Sequence, residues 1–303
     1  MADNEAMHWK PSFLTDPESF TKNMLDQDDE ARFRQYKDAR DALFGEIARY
    51  GFHFHRPEWI TPLRRMYDDL VGNGMSVEQR GQVLQFIATM VENTKSMTVN
   101  VFLPFICQDP DRGIVSTASV EYVSFGPLRD NDPMAFPKEL IQLIEDGEPR
   151  NAGAVFGALL VLGDPRLCKL LWPLKDQLSY EEANEAAQCT SGFVSAATID
   201  FVLDWMEGLD GTAEDALFGS LASHLGLQRR HMQVPFVATG LRPFPATSVT
   251  LDEQRAMRKW VPVEDYVASL APRLLALAQA EPEPKALPLI LREWGIAAPT
   301  LNN

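Results

Sequence analysis

The chain has 303 residues, of which 45% are hydrophobic, so it can bury the core of one large domain or of two ordinary ones. It contains 28 Lys and Arg residues against 43 Asp and Glu residues, which gives a formal net charge of −15. Nucleic-acid binders need a clustered basic surface, so this balance argues against nucleic acid. An acidic surface attracts basic proteins, but a solvated surface with no partner gives the same net charge and is the preferred interpretation of the charge alone.

The expected location of the protein is the cytoplasm. Residues 1–11 lack the basic and apolar regions of a secretory signal. The longest nearly uncharged apolar run, 152–163, is shorter than the ~20 residues that span a bilayer, so we expect no membrane insertion. Cys107, Cys168 and Cys189 are too widely spaced for a disulfide scaffold or a Cys-x-x-Cys metal site, and we interpret them as core residues in a reducing compartment.

An N-terminal helical region is predicted over residues 1–95. Apolar residues recur every three or four positions over 18–50 and again over 59–71, which is the spacing of amphipathic helices. Ser76 and Gln79 then form a capping box, in which each side chain pairs with the other residue's backbone amide, at the start of a third helix.

Residues 96–130 have a different pattern, because β-branched residues alternate with small or polar ones. One alternating run covers 99–103 and another covers 115–123, and the segment 108–113 between them has turn chemistry throughout. The pattern predicts a short β-hairpin or an extended insert near 97–127.

Helical spacing returns over residues 131–245, where six helices form three predicted pairs. The pairs are 136–145 with 152–162, 166–177 with 181–191, and 196–207 with 213–225. Ser179 and Glu182 form a capping box before the helix 181–191. Apolar positions recur at an offset of 31 residues, as in stacked helix pairs, although a bundle with short loops produces similar spacings. The recurring positions are Leu140, Leu171 and Val202, and likewise Leu143, Leu174 and Trp205.

One joint in this region carries a family resemblance. The segment Gly163-Asp-Pro-Arg-Leu-Cys-Lys-Leu-Leu171 follows an Ala/Leu-rich helix and resembles the short HEAT-like repeat of the phycobilisome-lyase type. The neighbouring joints lack the Asp-Pro-Arg signature, so the resemblance covers about 131–245 with one clear repeat. It implies a curved α-solenoid that binds protein, and it implies no catalytic residue. Gly153 and Gly157 remove bulk from the preceding helix, which favours close approach of a neighbour.

The C-terminal region, 246–303, is predicted to cap the array with helices over 251–261, 263–280 and 287–294, the first of them behind a Thr250 and Glu253 capping box. The fold class is therefore mainly α, an irregular HEAT-like solenoid with an extended insert. The four regions 1–95, 96–130, 131–245 and 246–303 can also form one compact domain.

Two sets of residues are weak candidates for a metal site. His53 and His55 lie two positions apart and would share a face of a strand, but no third ligand is near them in sequence. Asp109 and Asp111 offer oxygen ligands, but aspartate beside proline and glycine is ordinary turn chemistry. We prefer the structural interpretation of both sets and expect no cofactor.

The densest basic cluster in the helical array is Arg229-Arg230-His231. A solvated helix turn explains it, and its functional alternative is an anchor for an acidic peptide or carboxylate. A Cys189 nucleophile with a His224 base is disfavoured, because the small residues around the cysteine indicate packing.

These patterns favour a non-catalytic protein-interaction module, and more specifically an acidic inhibitor or immunity-type protein that masks a basic partner. One alternative is a metal-dependent or hydrolase-like enzyme that uses Asp109, Asp111, Glu121 or His55. Another is a structural subunit of a larger assembly, which predicts a large exposed apolar patch. The sequence indicates no particular oligomeric state.

Overall fold

The structure is a computed structural model. It describes residues 76–94, 99–125, 134–188, 195–209, 216–232, 236–239, 259–280 and 287–297, together with Asp28, Glu30, Ala31, Arg34 and Asp132. Within the predicted helix 18–50, the described residues Glu30, Ala31 and Arg34 are helical. The predicted helix 59–71 and the Thr250 and Glu253 capping box lie outside the described residues.

The described part of the chain is mainly helical. It contains eleven α-helices, two short 3-10 segments and one two-stranded sheet. In chain order they are α1 (Val77–Thr94), a 3-10 turn (Val99–Phe102), α2 (Leu103–Gln108), α3 (Arg112–Phe125), α4 (Ala135–Glu145), α5 (Ala152–Val161), α6 (Pro165–Leu174), a 3-10 turn (Lys175–Gln177), α7 (Tyr180–Gln188), α8 (Ala196–Glu207), α9 (Ala216–His231), β1 (Phe236–Ala238), β2 (Trp260–Pro262), α10 (Val263–Ala280) and α11 (Leu287–Glu293).

The helices contact one another in two series. In the first series α3, α5, α7, α9 and α11 follow one another in contact, and α1 lies against α3. In the second series α4 contacts α6 and α6 contacts α8. Arg273 of α10 extends the second series, since it donates hydrogen bonds to Asp204 and Glu207 of α8. Helix α5 joins the two series because it contacts both α4 and α6.

One apolar core runs through all of these elements. It extends from Val83 of α1 to Trp294 after α11, and each helix contributes buried side chains to it. All ten residues of α5 are buried, which explains why this segment has no polar face. Among the described residues, no helix has both the length and the apolar character needed to cross a membrane.

Both capping boxes that fall on described residues are confirmed. At the start of α1 the Ser76 amide donates to Gln79 Oε1 at 2.9 Å and the Gln79 amide donates to Ser76 Oγ at 3.3 Å. The same reciprocal pair joins Ser179 and Glu182 before α7, at 2.8 and 3.3 Å. These bonds satisfy amides that have no partner inside their own helices.

The predicted close approach at Gly153 is also confirmed. A Cβ atom at this position would lie 2.1 Å from the carbonyl oxygen of Glu182. Helix α5 and the start of α7 therefore touch through backbone, and only glycine leaves enough room.

The joint between α5 and α6 is tightly specified. Gly163 has a φ of +67°, and a Cβ there would lie 2.4 Å from the Cβ of Ser195. Asp164 caps α6, since its Oδ1 accepts the Arg166 amide at 2.8 Å, and Pro165 occupies the first turn. Hydroxyls from the start of α8 satisfy the end of α5: Ser195 donates to Gly163 and Thr198 donates to Leu160.

The prediction of a β-hairpin or extended insert near 97–127 is wrong. Over the described residues 99–125 the chain forms a 3-10 turn and the helices α2 and α3. Ser119 Oγ donates to the Val115 carbonyl and Thr117 Oγ1 donates to the Gly113 carbonyl, each four residues back, so the hydroxyls that suggested a strand are accommodated in the helix. The buried positions have helical spacing: Ile114, Val115, Ala118, Ser119, Tyr122 and Val123.

The strands occur elsewhere. Phe236, Val237 and Ala238 pair antiparallel with Pro262, Val261 and Trp260 respectively. The sequence had predicted a helix over 251–261, and its described end, at Trp260 and Val261, is strand. Aromatic and β-branched residues favour extended backbone here.

Candidate functional site

Asp109, a metal candidate from sequence, is a buried ion-pair partner in the structure. Its carboxylate is fully buried and accepts two hydrogen bonds from Arg80 of α1, at 2.8 Å from Nε and 3.1 Å from Nη2. Its Oδ1 also accepts the Asp111 amide at 2.8 Å. The geometry ties the turn before α3 to α1, so this carboxylate has a structural role.

Asp111 caps α3. Its Oδ1 accepts the amides of Gly113 and Ile114, both at 3.0 Å. It also lines an open groove of about 660 Å³ between α1 and α3, to which Glu121 contributes as well. The structure thus brings Asp111 and Glu121 to one groove and turns Asp109 toward Arg80. No group of three His, Cys, Asp or Glu side chains in the described ranges has an arrangement that holds a metal.

The remaining site candidates from the sequence are His53 and His55 for a metal, and Arg229, Arg230 and His231 for a partner. His53 and His55 lie outside the described residues. Arg229, Arg230 and His231 form the last turn of α9. The Arg230 side chain is half-exposed, and its Nε atom lies 3.6 Å from Oε2 of Glu293 on α11. The two residues therefore form an ion pair within the chain. Partner binding by these three residues stays a prediction.

The surroundings of the two described cysteines disfavour the thiolate form. Burial raises the pKa of Cys168 to about 12, with smaller contributions from the charges of Asp164 and Asp200. Burial, and then the charge of Glu148, raises the pKa of Cys107. Both side chains therefore remain thiols at neutral pH, which agrees with the interpretation as core residues.

The most distinctive polar feature is a line of carboxylates on α8. Asp200, Asp204 and Glu207 follow one another at helical spacing, and their side chains are 53%, 53% and 43% exposed. We call these three residues the α8 carboxylate row. The opposite faces of α8 are buried in the apolar core, so packing orients the row toward solvent.

Among the described residues, one cation serves this row. The guanidinium of Arg273 on α10 lies 2.6 Å from Asp204, 2.8 Å from Glu207 and 3.8 Å from Asp200. The hydrogen bond with Glu207 is the main cause that raises the pKa of Arg273, against a lowering by burial. Three negative charges and one positive charge leave the site with a local excess of two negative charges.

Asp200 is the member of the row whose environment disfavours the charged form. Burial raises the pKa of Asp200, the Arg273 charge lowers it, and the neighbouring Asp204 raises it. The net direction is upward, so desolvation and like-charge repulsion outweigh the distant guanidinium. A cation brought to Asp200 would favour its charged form and so lower its pKa.

An exposed aromatic residue accompanies the row. Trp172 of α6 is 38% exposed, and its ring meets the edge of Phe201 on α8 at a centroid distance of 5.2 Å. The ammonium of Lys175 lies 4.5 Å from the centre of the Trp172 ring and also pairs with Asp176. The indole therefore already packs with a cation on one side, as aromatic faces favour.

No prediction from the sequence included this surface. The spacing of Asp200, Asp204 and Glu207 was visible as a helical i, i+4, i+7 pattern, and Trp172 is one of only six tryptophans in the chain. Comparisons of the chain with protein-family models, with curated proteins and with solved structures found no match.

Proposed function

We propose that the protein is a non-catalytic interaction module that binds a basic protein through the α8 carboxylate row and Trp172. The observation that carries the proposal is the solvent-facing row of three carboxylates with one compensating guanidinium. Complementary charge steers a basic partner to such a surface, and a partly exposed tryptophan supplies contact area of the kind that dominates binding energy.

The order in which the helices follow one another in contact supports a HEAT-like array as the scaffold for this function. Stacked helix pairs place alternate helices in separate layers, and the two contact series have this order. Leu140, Leu171 and Val202, which the 31-residue offset relates, occupy α4, α6 and α8 and are all buried. Such arrays expose long faces that bind other proteins, and the α8 carboxylate row lies on the second series.

The charge of the whole chain supports a more specific proposal. A formal net charge of −15 extends the attraction of the row over the entire surface, as in an acidic inhibitor or immunity-type protein that masks a basic partner. We place this function in the cytoplasm, where the free thiols of Cys107 and Cys168 remain reduced.

The test is affinity capture from a lysate of the source organism at low salt, where charge attraction is least screened. Three proteins serve as bait: the wild type, a row variant (Asp200→Asn, Asp204→Asn, Glu207→Gln) and a control variant with three exposed charges removed around α4. The control carries Glu139→Gln, Glu145→Gln and Glu148→Gln.

The wild type and the control are expected to recover the same basic protein in stoichiometric amount, and the row variant is expected to lose it. Recovery should fall steeply as salt is raised. Equal recovery by the row variant, or an acidic partner, would overturn the proposal. Circular-dichroism melting of the three baits checks that all of them are folded.

A further inference from the structure

A long groove lies between α1 and α3, and no residue of the α8 carboxylate row lines it. The groove has a volume of about 660 Å³ and runs along α1 from Val77 to Ala88 and along α3 from Gly113 to Phe125. At 1.5 Å per residue these two stretches are about 17 Å long. The cross-section is therefore about 40 Å², roughly half that of an α-helix with its side chains. A groove of this width suits an extended chain better than a helix.

The floor of the groove is apolar. Leu84 and Ala88 of α1 and Ile114 of α3 line it and are buried, and Phe125 at the end of α3 packs against the core. The side chain of Val77, which also lines the groove, is 48% exposed, so apolar surface here faces water. An aliphatic chain placed on this floor would remove apolar surface from water, which favours binding.

Gly81 keeps the groove open on the side of α1. It is one of the lining residues, and a Cβ atom there would meet nothing within 4 Å. Glycine inside a helix is less favourable than alanine. At Gly153 the close approach of Glu182 explains the glycine, whereas the described residues provide no such reason at Gly81. A larger side chain at Gly81 would extend into the groove.

Two carboxylates line the groove at separate points. Asp111 lies just before α3 and Glu121 lies ten residues later, which is about 15 Å of helix. None of the described lining residues is basic, so the groove presents two negative charges beside an apolar floor. The buried ion pair of Arg80 with Asp109 holds α1 against the turn before α3. The end of the groove at Asp111 is therefore preformed, which lowers the cost of binding.

We infer that the α1–α3 groove binds a linear aliphatic polyamine. One terminal ammonium group donates to Asp111 and the other to Glu121, while the methylene chain lies on the floor. The amides of Gly113 and Ile114 use only Oδ1 of Asp111, and a carboxylate accepts about four hydrogen bonds, so Asp111 retains capacity for an ammonium group. With one hydrogen bond of about 3 Å at each end, the two nitrogens lie about 10 Å apart. Charge disfavours an anion, and width disfavours a helical peptide.

The site is tested with small amines of graded length and charge. Octamethylenediamine, octylamine, putrescine and spermidine are titrated separately into the full-length protein at low salt by isothermal calorimetry. We expect octamethylenediamine and spermidine to bind with a Kd of about 1 mM or lower. Octylamine has one charge and putrescine is too short to contact both carboxylates, so each should bind about fivefold more weakly than octamethylenediamine.

Five variants locate the ligand. Asp111→Asn, which keeps a capping oxygen, and Glu121→Gln should each remove the preference for octamethylenediamine over octylamine. Gly81→Leu should fill the groove and abolish binding without lowering the Tm. The controls are Gly219→Leu, at a second helical glycine with open space, and Glu139→Gln on α4, and both should leave the Kd values unchanged. Thermal melts check that every variant is folded.

Three outcomes would overturn the inference. One is equal affinity of the wild type for octamethylenediamine and octylamine, and another is equal weakening of octamethylenediamine binding by Glu121→Gln and Glu139→Gln. The third is tighter binding of a helical peptide with two lysines ten positions apart, which would assign the groove to a protein partner. The result is independent of the proposed function, because the variant of the α8 carboxylate row leaves the residues of the groove unchanged.

Discussion

Replacing Asp109 by asparagine removes the negative charge from a buried ion pair. Asp109 is fully buried, the Arg80 side chain is 9% exposed, and two hydrogen bonds of 2.8 and 3.1 Å join them. An amide presents only one acceptor oxygen, and its NH₂ group would face the guanidinium, so the buried positive charge of Arg80 would lose the carboxylate that accepts two of its hydrogen bonds. Breaking such a pair on one side costs about 3–5 kcal/mol of unfolding free energy.

The assay is urea denaturation followed by circular dichroism, with Asp109→Leu, Arg80→Met and the double variant completing a double-mutant cycle. Each single substitution removes one member of the ion pair and leaves the buried charge of the other, whereas the double variant removes both charges. We therefore expect the double variant to be more stable than Asp109→Leu, with a coupling energy of about 2 kcal/mol or more. In thermal melts Asp109→Asn should lower the Tm by roughly 6 to 20 °C.

A metal at this position would give a different pattern. Under the ion-pair interpretation, Ca²⁺, Mg²⁺ and a chelator leave the melting temperature of the wild type unchanged. A cost below about 1 kcal/mol for Asp109→Asn would refute the reasoning, because a buried bidentate pair costs more to break. So would a melting temperature that divalent ions raise in the wild type but not in Asp109→Asn.

Three further predictions concern stability. A Cβ at Gly153 would lie 2.1 Å from the Glu182 carbonyl oxygen, so Gly153→Ala should lower the free energy of unfolding by about 2 kcal/mol or more. A Cβ at Gly219 would meet nothing within 4 Å, so Gly219→Ala should raise the free energy of unfolding by up to about 1 kcal/mol. Urea titrations in which both glycine variants shift the unfolding midpoint in the same direction would contradict these two predictions. Asp164→Ala should lower stability by about 1–2 kcal/mol, and Asp164→Asn, which keeps the capping oxygen, by less in the same measurement. Because the pKa of Asp200 is raised on folding, its ionisation opposes folding above that pKa, so Asp200→Asn should stabilise the protein at pH 7. The gain should disappear below about pH 4, and pH-dependent urea titrations check this.

Local signals in the sequence were sufficient for much of the helical part of the fold. The Ser76 and Ser179 capping boxes mark the starts of α1 and α7, because the bonds involved join residues three positions apart. Helix α8 spans Ala196–Glu207 and α10 spans Val263–Ala280, as the apolar spacing predicted. In each case the deciding interaction lies within the helix or at its end.

The segment now seen as α3 shows where local reasoning fails. Val, Thr and Ser have low helix propensity, and a short run of them alternates by chance with small residues. Burial of Ile114, Ala118 and Tyr122 against α1 and α5 overrides that preference. Tertiary packing makes this segment a helix, and the sequence alone does not show which helices pack against it.

The α8 carboxylate row could not be predicted from the sequence for a related reason. Its spacing was visible, but the compensating Arg273 lies 66 residues after Glu207. Only the folded chain shows that this guanidinium serves all three carboxylates.

A solvating surface is the simplest alternative explanation of the row, and the energetics of Asp200 argue against it. A surface that served solubility alone would keep its carboxylates well hydrated, whereas burial raises the pKa of this one. On the flank of α10 that carries Arg273, the neighbouring positions are Tyr266, Leu270 and Leu277, so this flank supplies no second cation. The raised pKa of Asp200 predicts that its charge opposes folding at neutral pH, a cost that function can retain at a binding site. If Asp200→Asn both stabilises the fold and lowers the recovery of a basic protein in the capture experiment, one residue will have shown the two effects that separate a binding site from a solvated face.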